Sequence, residues 1–314
     1  MQYYMAPLEG ITTYIFRNVY HRYFRDCDRY FTPFLASKKL SWKEKNEISP
    51  DNNEGYVLIP QILSNNAETF LDIAGQLKSA GYDTVNLNLG CPSGTVVSRK
   101  RGAGQLSDTY ALDRFLAEIF DKCPMKISVK TRVGMCDTCE WEDILEVYAK
   151  YPLEELIIHP RLRDDYYSGK PRLETVRQAV DAGLSFPICY NGDVTSVETG
   201  DSICREFPSI DRIMIGRGLL RRPWLVSELS DRTGDKMAGS RLLNDFMSEL
   251  ADSYERLYGP GQDRNVLFKL KDVWNHLGMS FDDMDKELKA IRKSDSLSEY
   301  RIAVKRFFAK KESV

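Results

Sequence analysis

Short apolar runs alternate with longer amphipathic stretches through the first 225 residues, and no other feature restricts the fold of this chain as strongly. The runs fall at 3–5, 30–34, 57–62, 84–89, 126–130, 155–159, 188–191 and 212–215. Helical periodicity follows at 14–23, 67–80, 110–121, 141–150, 173–182, 196–206 and 219–225. This is the pattern of βα units around a parallel sheet. The third, sixth and eighth runs are almost wholly apolar, as strands covered on both faces are. Eight such units predict a closed (β/α)8 TIM barrel in the α/β class. An open doubly wound sheet is the alternative, but its Gly-x-Gly-x-x-Gly turn after the first strand is missing.

After residue 235 the strands stop. Helical patterns occupy 241–258, 264–277, 281–293 and 297–310, with Gly259-Pro260-Gly261 as a break. We therefore expect a catalytic barrel over 1–235 and a small C-terminal helical domain over 236–314, packed together because no long linker separates them. The formal charge of −2 gives no general attraction to nucleic acid, so any such surface must come from local clustering. One cluster is 286–314, with nine Lys/Arg against four Asp/Glu, a basic face or simply solvated surface. No apolar run approaches the ~20 residues of a membrane span. No leader-like pattern opens the chain, and the seven cysteines form no framework. They read as reduced thiols in a cytoplasmic setting. Cys136 and Cys139 lack further ligands at metal spacing, so no metal is expected.

A barrel of this kind carries its site at the C-terminal ends of its strands. There stand Pro7 and Leu8, Gln61, Asn88 and Cys91, Lys130 and Arg132, His159 and Arg161, Asn191 and Asp193, and Gly216 and Arg217. The last two loops are where barrels hold phosphate, and Gly192, Gly216 and Gly218 let backbone N–H groups approach an anion. Lys130 reads as a Schiff-base nucleophile, as a cation facing an anionic cofactor edge, or as a lysine reaching solvent. Gln61 is a heterocycle ligand or a satisfied core amide. His159 is a core imidazole or a contact to phosphate or substrate. Cys91 is inert packing or, as a thiol mostly protonated at neutral pH, an acid.

The strings NLNLGCP and VVSRKRGAGQL around Cys91, with APLEGIT, KTRVG, IIHPR, NGDV and IGRGLLRRPWL in order, resemble the signature of the tRNA-dihydrouridine synthase family. The resemblance covers most of residues 1–225, and the helical tail agrees with the family's RNA-binding domain in length and position. It implies FMN as cofactor, NADPH as electron donor, and reduction of the C5–C6 bond of a uridine in tRNA, hydride coming from flavin N5 and the proton from Cys91. Pro7, Leu8, Gln61, Lys130, His159, Asn191, Asp193, Gly216 and Arg217 would contact FMN. Asn88 and Arg132 would face the uracil. Arg99, Lys100, Arg101 and Arg161 stand out as candidates for the RNA itself, since an extruded base needs compensating contacts. No membrane and no obligatory protein partner is implied. Pro160, where the family usually has a small residue, and Glu9 depart from the pattern.

Rival readings share parts of this frame. A dihydroorotate dehydrogenase-like enzyme would use the same barrel on a free pyrimidine, without need of the tail. A Schiff-base aldolase built on Lys130 leaves Cys91 and Gln61 without roles. A non-catalytic RNA-binding module, or a structured RNA other than tRNA as substrate, completes the set.

Overall fold

The computed structural model describes residues 1–230 and 240–312. Nine parallel strand segments form the sheet: β1 (Gln2–Met5), β2 (Arg29–Phe31), β3 (Leu58–Ile59), β4 (Gln61–Ile62), β5 (Thr84–Leu89), β6 (Lys126–Arg132), β7 (Leu156–His159), β8 (Ile188–Tyr190) and β9 (Arg212–Ile215). Their order is β3-β2-β1-β9-β8-β7-β6-β5-β4. β3 and β4 are halves of one strand interrupted at Pro60, so the two ends of the list meet and the sheet closes into an eight-stranded barrel. Proline lacks the N–H a ladder needs. Its carbonyl still accepts from the N–H of Asn86 at 2.8 Å, while Leu58 and Ile59 pair with β2 on the other side. The single run expected at 57–62 is thus a strand that hands its pairing from one neighbour to the next.

Alternation along the strands sorts side chains between two cores. In and just after β1, Tyr4 and Ala6 join Phe31, Ile59, Ile157, Cys189 and Met214 inside the barrel, whereas Tyr3 and Met5 pack outward against the helices. Glu155, fully buried at the start of β7, lies 3.2 Å from Arg29 and 3.5 Å from Arg212, at the starts of β2 and β9. These ions close the N-terminal end of the barrel and leave the other end for chemistry.

The helices are α1 (Tyr14–Phe24), α2 (Trp42–Ile48), α3 (Ala67–Ser79), α4 (Gly94–Val97), α5 (Thr109–Lys122), α6 (Glu140–Ala149), α7 (Leu173–Asp181), α8 (Val197–Glu206), α9 (Arg217–Arg221) and α10 (Leu225–Ser230). The helix expected at 219–225 is in fact α9 and α10, separated around Pro223. The short α2 has no counterpart in the apolar pattern and is set instead by its Ser41/Glu44 capping box.

Four further helices follow: α11 (Ser240–Tyr258), α12 (Asp263–Leu277), α13 (Asp285–Lys293) and α14 (Leu297–Glu312). The boundary expected at 235/236 lies outside the described residues. The bundle seats on the barrel through Phe246, whose ring meets Phe16, Tyr23 and Phe24 at 5.3–6.1 Å. Thr13 and Tyr254 share a buried hydroxyl–hydroxyl hydrogen bond at 3.2 Å. Lys269 on α12 donates to the carbonyl of Gly10 at 2.6 Å, and Ser280 donates to that of Arg221 at 2.7 Å. Within the basic stretch, Arg301 and Lys310 are engaged in ion pairs inside the bundle, and residues 313–314 fall outside the described residues. No described helix is long and apolar enough to cross a membrane.

Candidate active site

A cavity of about 500 Å³ opens at the C-terminal ends of the strands. Pro7, Leu8, Gln61, Lys130, His159, Asn191, Asp193, Gly216 and Arg217 all line it, as do Asn88, Cys91 and Arg132. Register explains the assembly. Asn88 on β5 sits opposite Lys130 on β6, and Arg132 on β6 opposite His159 on β7, so neighbouring strands deliver their polar ends to one level.

Gln61 is buried and both ends of its amide are used. Its Nε2 donates to Asn86 at 2.7 Å, and its Oε1 accepts from Asn88 Nδ2 at 2.7 Å. Asn86 in turn donates to Ser128 at 2.9 Å. Asn88 Oδ1 accepts the backbone N–H groups of Gly90 and Cys91 at 3.1 and 2.9 Å. An amide relay inside the barrel therefore fixes the turn that carries Cys91. From the other side, the N–H of Ala103 donates to the Cys91 carbonyl at 3.1 Å. Gly102, at φ +56°, lies so close that an added Cβ would meet that carbonyl at 2.9 Å. Burial pushes the Cys91 thiol above its usual pKa, against a smaller opposing effect of the Ser93 backbone, so the sulfur stays protonated at neutral pH.

The Lys130 ammonium has neither a hydrogen bond nor an ion pair among the described residues. Burial, and then Arg132, push its ammonium down to about 8. Burial, followed by Lys130, Arg132, Arg161 and Arg217, holds His159 well below the usual imidazole range. Its Nε2 lies 3.2 Å from an Arg161 Nη1. Arginine only donates, so Nε2 bears the lone pair and the ring proton is assigned to Nδ1. A neutral imidazole donor and an unpartnered cation thus share one cavity.

The loops after β8 and β9 are packed hard together: a side chain on Gly218 would overlap the carbonyl oxygen of Val194. Among the described residues, no hydrogen bond occupies the backbone N–H groups of Gly192, Asp193, Gly216 or Arg217. Donors left open at a cationic mouth suit an anionic group. The Arg217 side chain is itself held by Asp193, at 2.7 Å, leaving the backbone as the open part of this corner. Together with the unpartnered ammonium of Lys130, these donors fit the phosphate and the electron-rich edge of a flavin mononucleotide.

One expectation needs correction. Arg161 does not stand at the rim facing RNA: it is fully buried. Its guanidinium donates to the carbonyls of Ser168 and Gly169 and pairs with Asp193, because the loop after β7 folds back over it. Arg99, Lys100 and Arg101 follow α4 outside the cavity, the first two exposed. Asn65 ties this segment down, donating to the Arg99 carbonyl at 3.0 Å. Arg132, although it lines the cavity, spends its guanidinium on the carbonyls of Gly90, Leu162 and Tyr166.

Those two arginines give the loop after β7 its shape, and its tip brings a residue the sequence reading did not single out. Tyr167 lines the cavity under the guanidinium groups of Arg217 and Arg132, 5.0 and 5.6 Å from its ring centre. A second is His276, which reaches the cavity from α12 of the helical domain. Burial, then Arg217, lowers its pKa. No periodic or motif signal marks either one. Cys136 and Cys139 are exposed beside Glu140, away from the cavity lining, and the described residues contain no cluster of three or more metal-ligating side chains.

The sequence profile of the family described as Dihydrouridine synthase (Dus) matches residues 4–297. The chain is 24% identical over 304 residues to a tRNA-dihydrouridine synthase B of Shewanella oneidensis, covering 90% of this chain and 86% of that protein. It is 28% identical over 232 residues to a probable tRNA-dihydrouridine synthase of Staphylococcus epidermidis, covering 70% and 69%. Among solved structures, morphinone reductase superposes with a TM-score of 0.52 at 11% identity, over 74% of this chain and 86% of that one, a likeness of fold.

Proposed function

The chain belongs to the dihydrouridine synthase family, and from that premise we propose that it reduces the C5–C6 double bond of uridines in tRNA to dihydrouridine, with FMN as resident cofactor and NADPH as electron source. The observation that carries the reading is a thiol kept protonated by burial in the same cavity as an unpartnered lysine and open backbone donors.

Bound FMN would supply the hydride that reaches C6. The chain's own groups do the rest. Gly192, Asp193, Gly216 and Arg217 offer backbone N–H groups to the cofactor phosphate, and the Nδ1–H of His159 adds a neutral donor. Lys130 offers an ammonium to the anionic edge of the ring system, an electrostatic contribution that desolvation strengthens. As negative charge develops toward C5 and the C4 carbonyl of the uracil, Cys91 Sγ gives its proton to C5 and is left as thiolate. Asn88 holds the Cys91 turn at the required place through its two accepted N–H bonds. Tyr167 and His276 add an aromatic face and an imidazole to the same cavity.

Three measurements test the proposal in sequence. Purified protein should carry a flavin spectrum and oxidise NADPH when given unmodified tRNA. RNA from cells with and without the gene should differ at dihydrouridine positions. Cys91→Ala should keep its flavin and form almost no product. Colourless protein that takes up no FMN would sink the reading. NADPH oxidation driven by orotate-type pyrimidines, without RNA, would replace it with the free-pyrimidine alternative.

A further inference from the structure

Along β5, Val85, Leu87 and Leu89 pack outward against the helices, which leaves Asn86 and Asn88 on the inner face of the barrel. Register sets Asn86 between Gln61 on β4 and Ser128 on β6, so three neighbouring strands bring three polar side chains to one level. Gln61 and Asn88 line the cavity, whereas Asn86 and Ser128 are fully buried outside its lining. A polar group at this depth costs free energy unless it is paired, and an apolar residue would fill the space without that cost. The amide at position 86 therefore calls for a reason beyond packing.

The hydrogen bonds that pass through it run in one direction only. Backbone N–H groups donate, so the end of the Asn88 amide that faces Gly90 and Cys91 is its oxygen. The Asn88 amino group is thereby turned to Gln61 and donates to the Gln61 oxygen at 2.7 Å. The Gln61 amino group is turned in the same way to Asn86, whose oxygen accepts at 2.7 Å. Asn86 then donates to Ser128 Oγ at 2.9 Å. Reversing any one amide sets donor against donor or acceptor against acceptor. Only the last link tolerates either sense, because the Ser128 hydroxyl both accepts and donates, and its own bond to the Val85 carbonyl is a long 3.4 Å. These bonds use both lone pairs of the Asn88 oxygen, while Gln61 keeps one N–H and one lone pair for the cavity.

We infer that Asn86 is a positioning residue of the reaction: from outside the cavity, it holds the Gln61 amide in the one orientation that supports Asn88 and presents a fixed donor and acceptor to a flavin ring. The inference rests on the uridine-reducing reading and adds to it a residue beyond the site. Without the Asn86 oxygen the Gln61 amino group has no acceptor. The amide turns, its oxygen leaves Asn88, and the turn that carries Cys91 loses its support. If residue 86 only filled space, leucine, with the same branched shape, would serve and a carboxyl group would be rejected. The positioning role reverses that order. A carboxyl oxygen accepts from Gln61 whether the group is protonated or not, and Ser128 turns its hydroxyl to suit.

The test combines single-turnover reduction of unmodified tRNA by the full-length, pre-reduced holoenzyme with FMN titration of the apoprotein. Asn86→Leu should slow the single turnover about tenfold, the cost of roughly half an ångström of misplacement. Its KM for tRNA should stay within about twofold, since the loss falls on the transition state. Its Kd for FMN should rise, and the visible flavin spectrum should change shape. Asn86→Asp should return the rate to within about threefold of wild type, because the bond to Gln61 is kept, and should restore the spectrum even though its melting temperature falls. Ser128→Ala should melt earlier but keep rate and spectrum, because the direction is set from the Cys91 end. Asn86→Ala repeats the measurement should the leucine variant not fold, with the same loss of rate expected. Leucine as fast as wild type, or faster than aspartate, overturns the positioning role and leaves the reaction standing. Equal slowing in Ser128→Ala and Asn86→Leu reduces this level to packing and also overturns it. Wild-type protein that takes up no FMN or reduces no tRNA overturns the reaction reading and this inference with it.

Discussion

Gly102→Ala tests how tightly the fold holds the sulfur of Cys91, the proposed acid. Gly102 has φ +56°, and a Cβ there would lie 2.9 Å from the Cys91 carbonyl oxygen and 3.0 Å from both Cys91 Cβ and Val96 Cγ1. Alanine in the left-handed region costs about 1–2 kcal/mol. Forcing a methyl group into close-packed neighbours costs about 1–3 kcal/mol more. The sum, roughly 2–5 kcal/mol, corresponds to a melting-temperature loss of about 3–8 °C in a chain of this size. Two of the three neighbours belong to Cys91 itself, so the strain is relieved by moving Cys91. If ~1 Å of misplacement costs about 10²-fold, half that distance costs roughly tenfold. The assay is single-turnover reduction of tRNA by pre-reduced enzyme, beside flavin content and the rate of flavin reduction by NADPH. Only the first rate should fall. Gly104→Ala is the control: the three atoms nearest its Cβ, the first Val97 O at 2.9 Å, all belong to Val97, so it should lose stability with a much smaller loss of rate. The reasoning is refuted if Gly102→Ala keeps wild-type turnover, or if the two variants slow equally.

Other consequences follow from the same geometry. Lys130 is charged at a buried position that lowers its pKa from 10.5 to about 8, so the folded state bears a penalty that is full below pH 8 and fades as pH rises toward 10.5. Lys130→Met should therefore stabilise cofactor-free protein at pH 7, by at most about 3 kcal/mol, with no gain near pH 10.5, and should weaken FMN retention; thermal melts showing no gain at pH 7 contradict this. The proposed acid role of Cys91 requires its proton, and its pKa is raised above 9.0. Single-turnover rates should stay level up to about pH 9 and decline above it, and a decline already complete by pH 8 would remove the thiol as donor. Asp193 is the carboxylate of buried Arg161, and Asp193→Ala should cost about 3 kcal/mol in urea unfolding at pH 7, the low end for such pairs because Asp193 is itself 36% exposed. Its carboxyl pKa is lowered, so this contribution is present above pH 3.8 and lost as pH falls through the folded value. A variant as stable as wild type at pH 7 would show that Arg161 is held by the loop carbonyls alone.

What could be read from the sequence, and what could not, divides along the range of the interactions involved. Parallel strands covered on both faces must be apolar runs, so all eight were visible, and their polar ends gave Gln61, Asn88, Lys130 and His159 by position alone. The split at Pro60 was hidden because Val57 to Ile62 reads as one apolar stretch, although a proline that cannot donate forces the strand to change partners. Arg161 misled for a different reason. A charged residue two positions past a strand end belongs at a rim on local grounds, and only the return of Ser168 and Gly169, with Asp193 from another strand, makes a buried position tolerable for its charge. Tyr167 and His276 have no local signal either. Tyr167 is placed by a loop whose shape depends on Arg132 and Arg161 beneath it, and His276 lies beside the apolar stripe of Val273, Trp274 and Leu277 that seats α12. A group defined by strand register is written into its own segment, whereas one defined by a distant partner is not. The long-range groups here belong to the loop after β7 and to α12, the two parts that overhang the cavity. Of the four residues expected to meet RNA, Arg161 alone is taken up by the fold, whereas Arg99 and Lys100 stay exposed after α4.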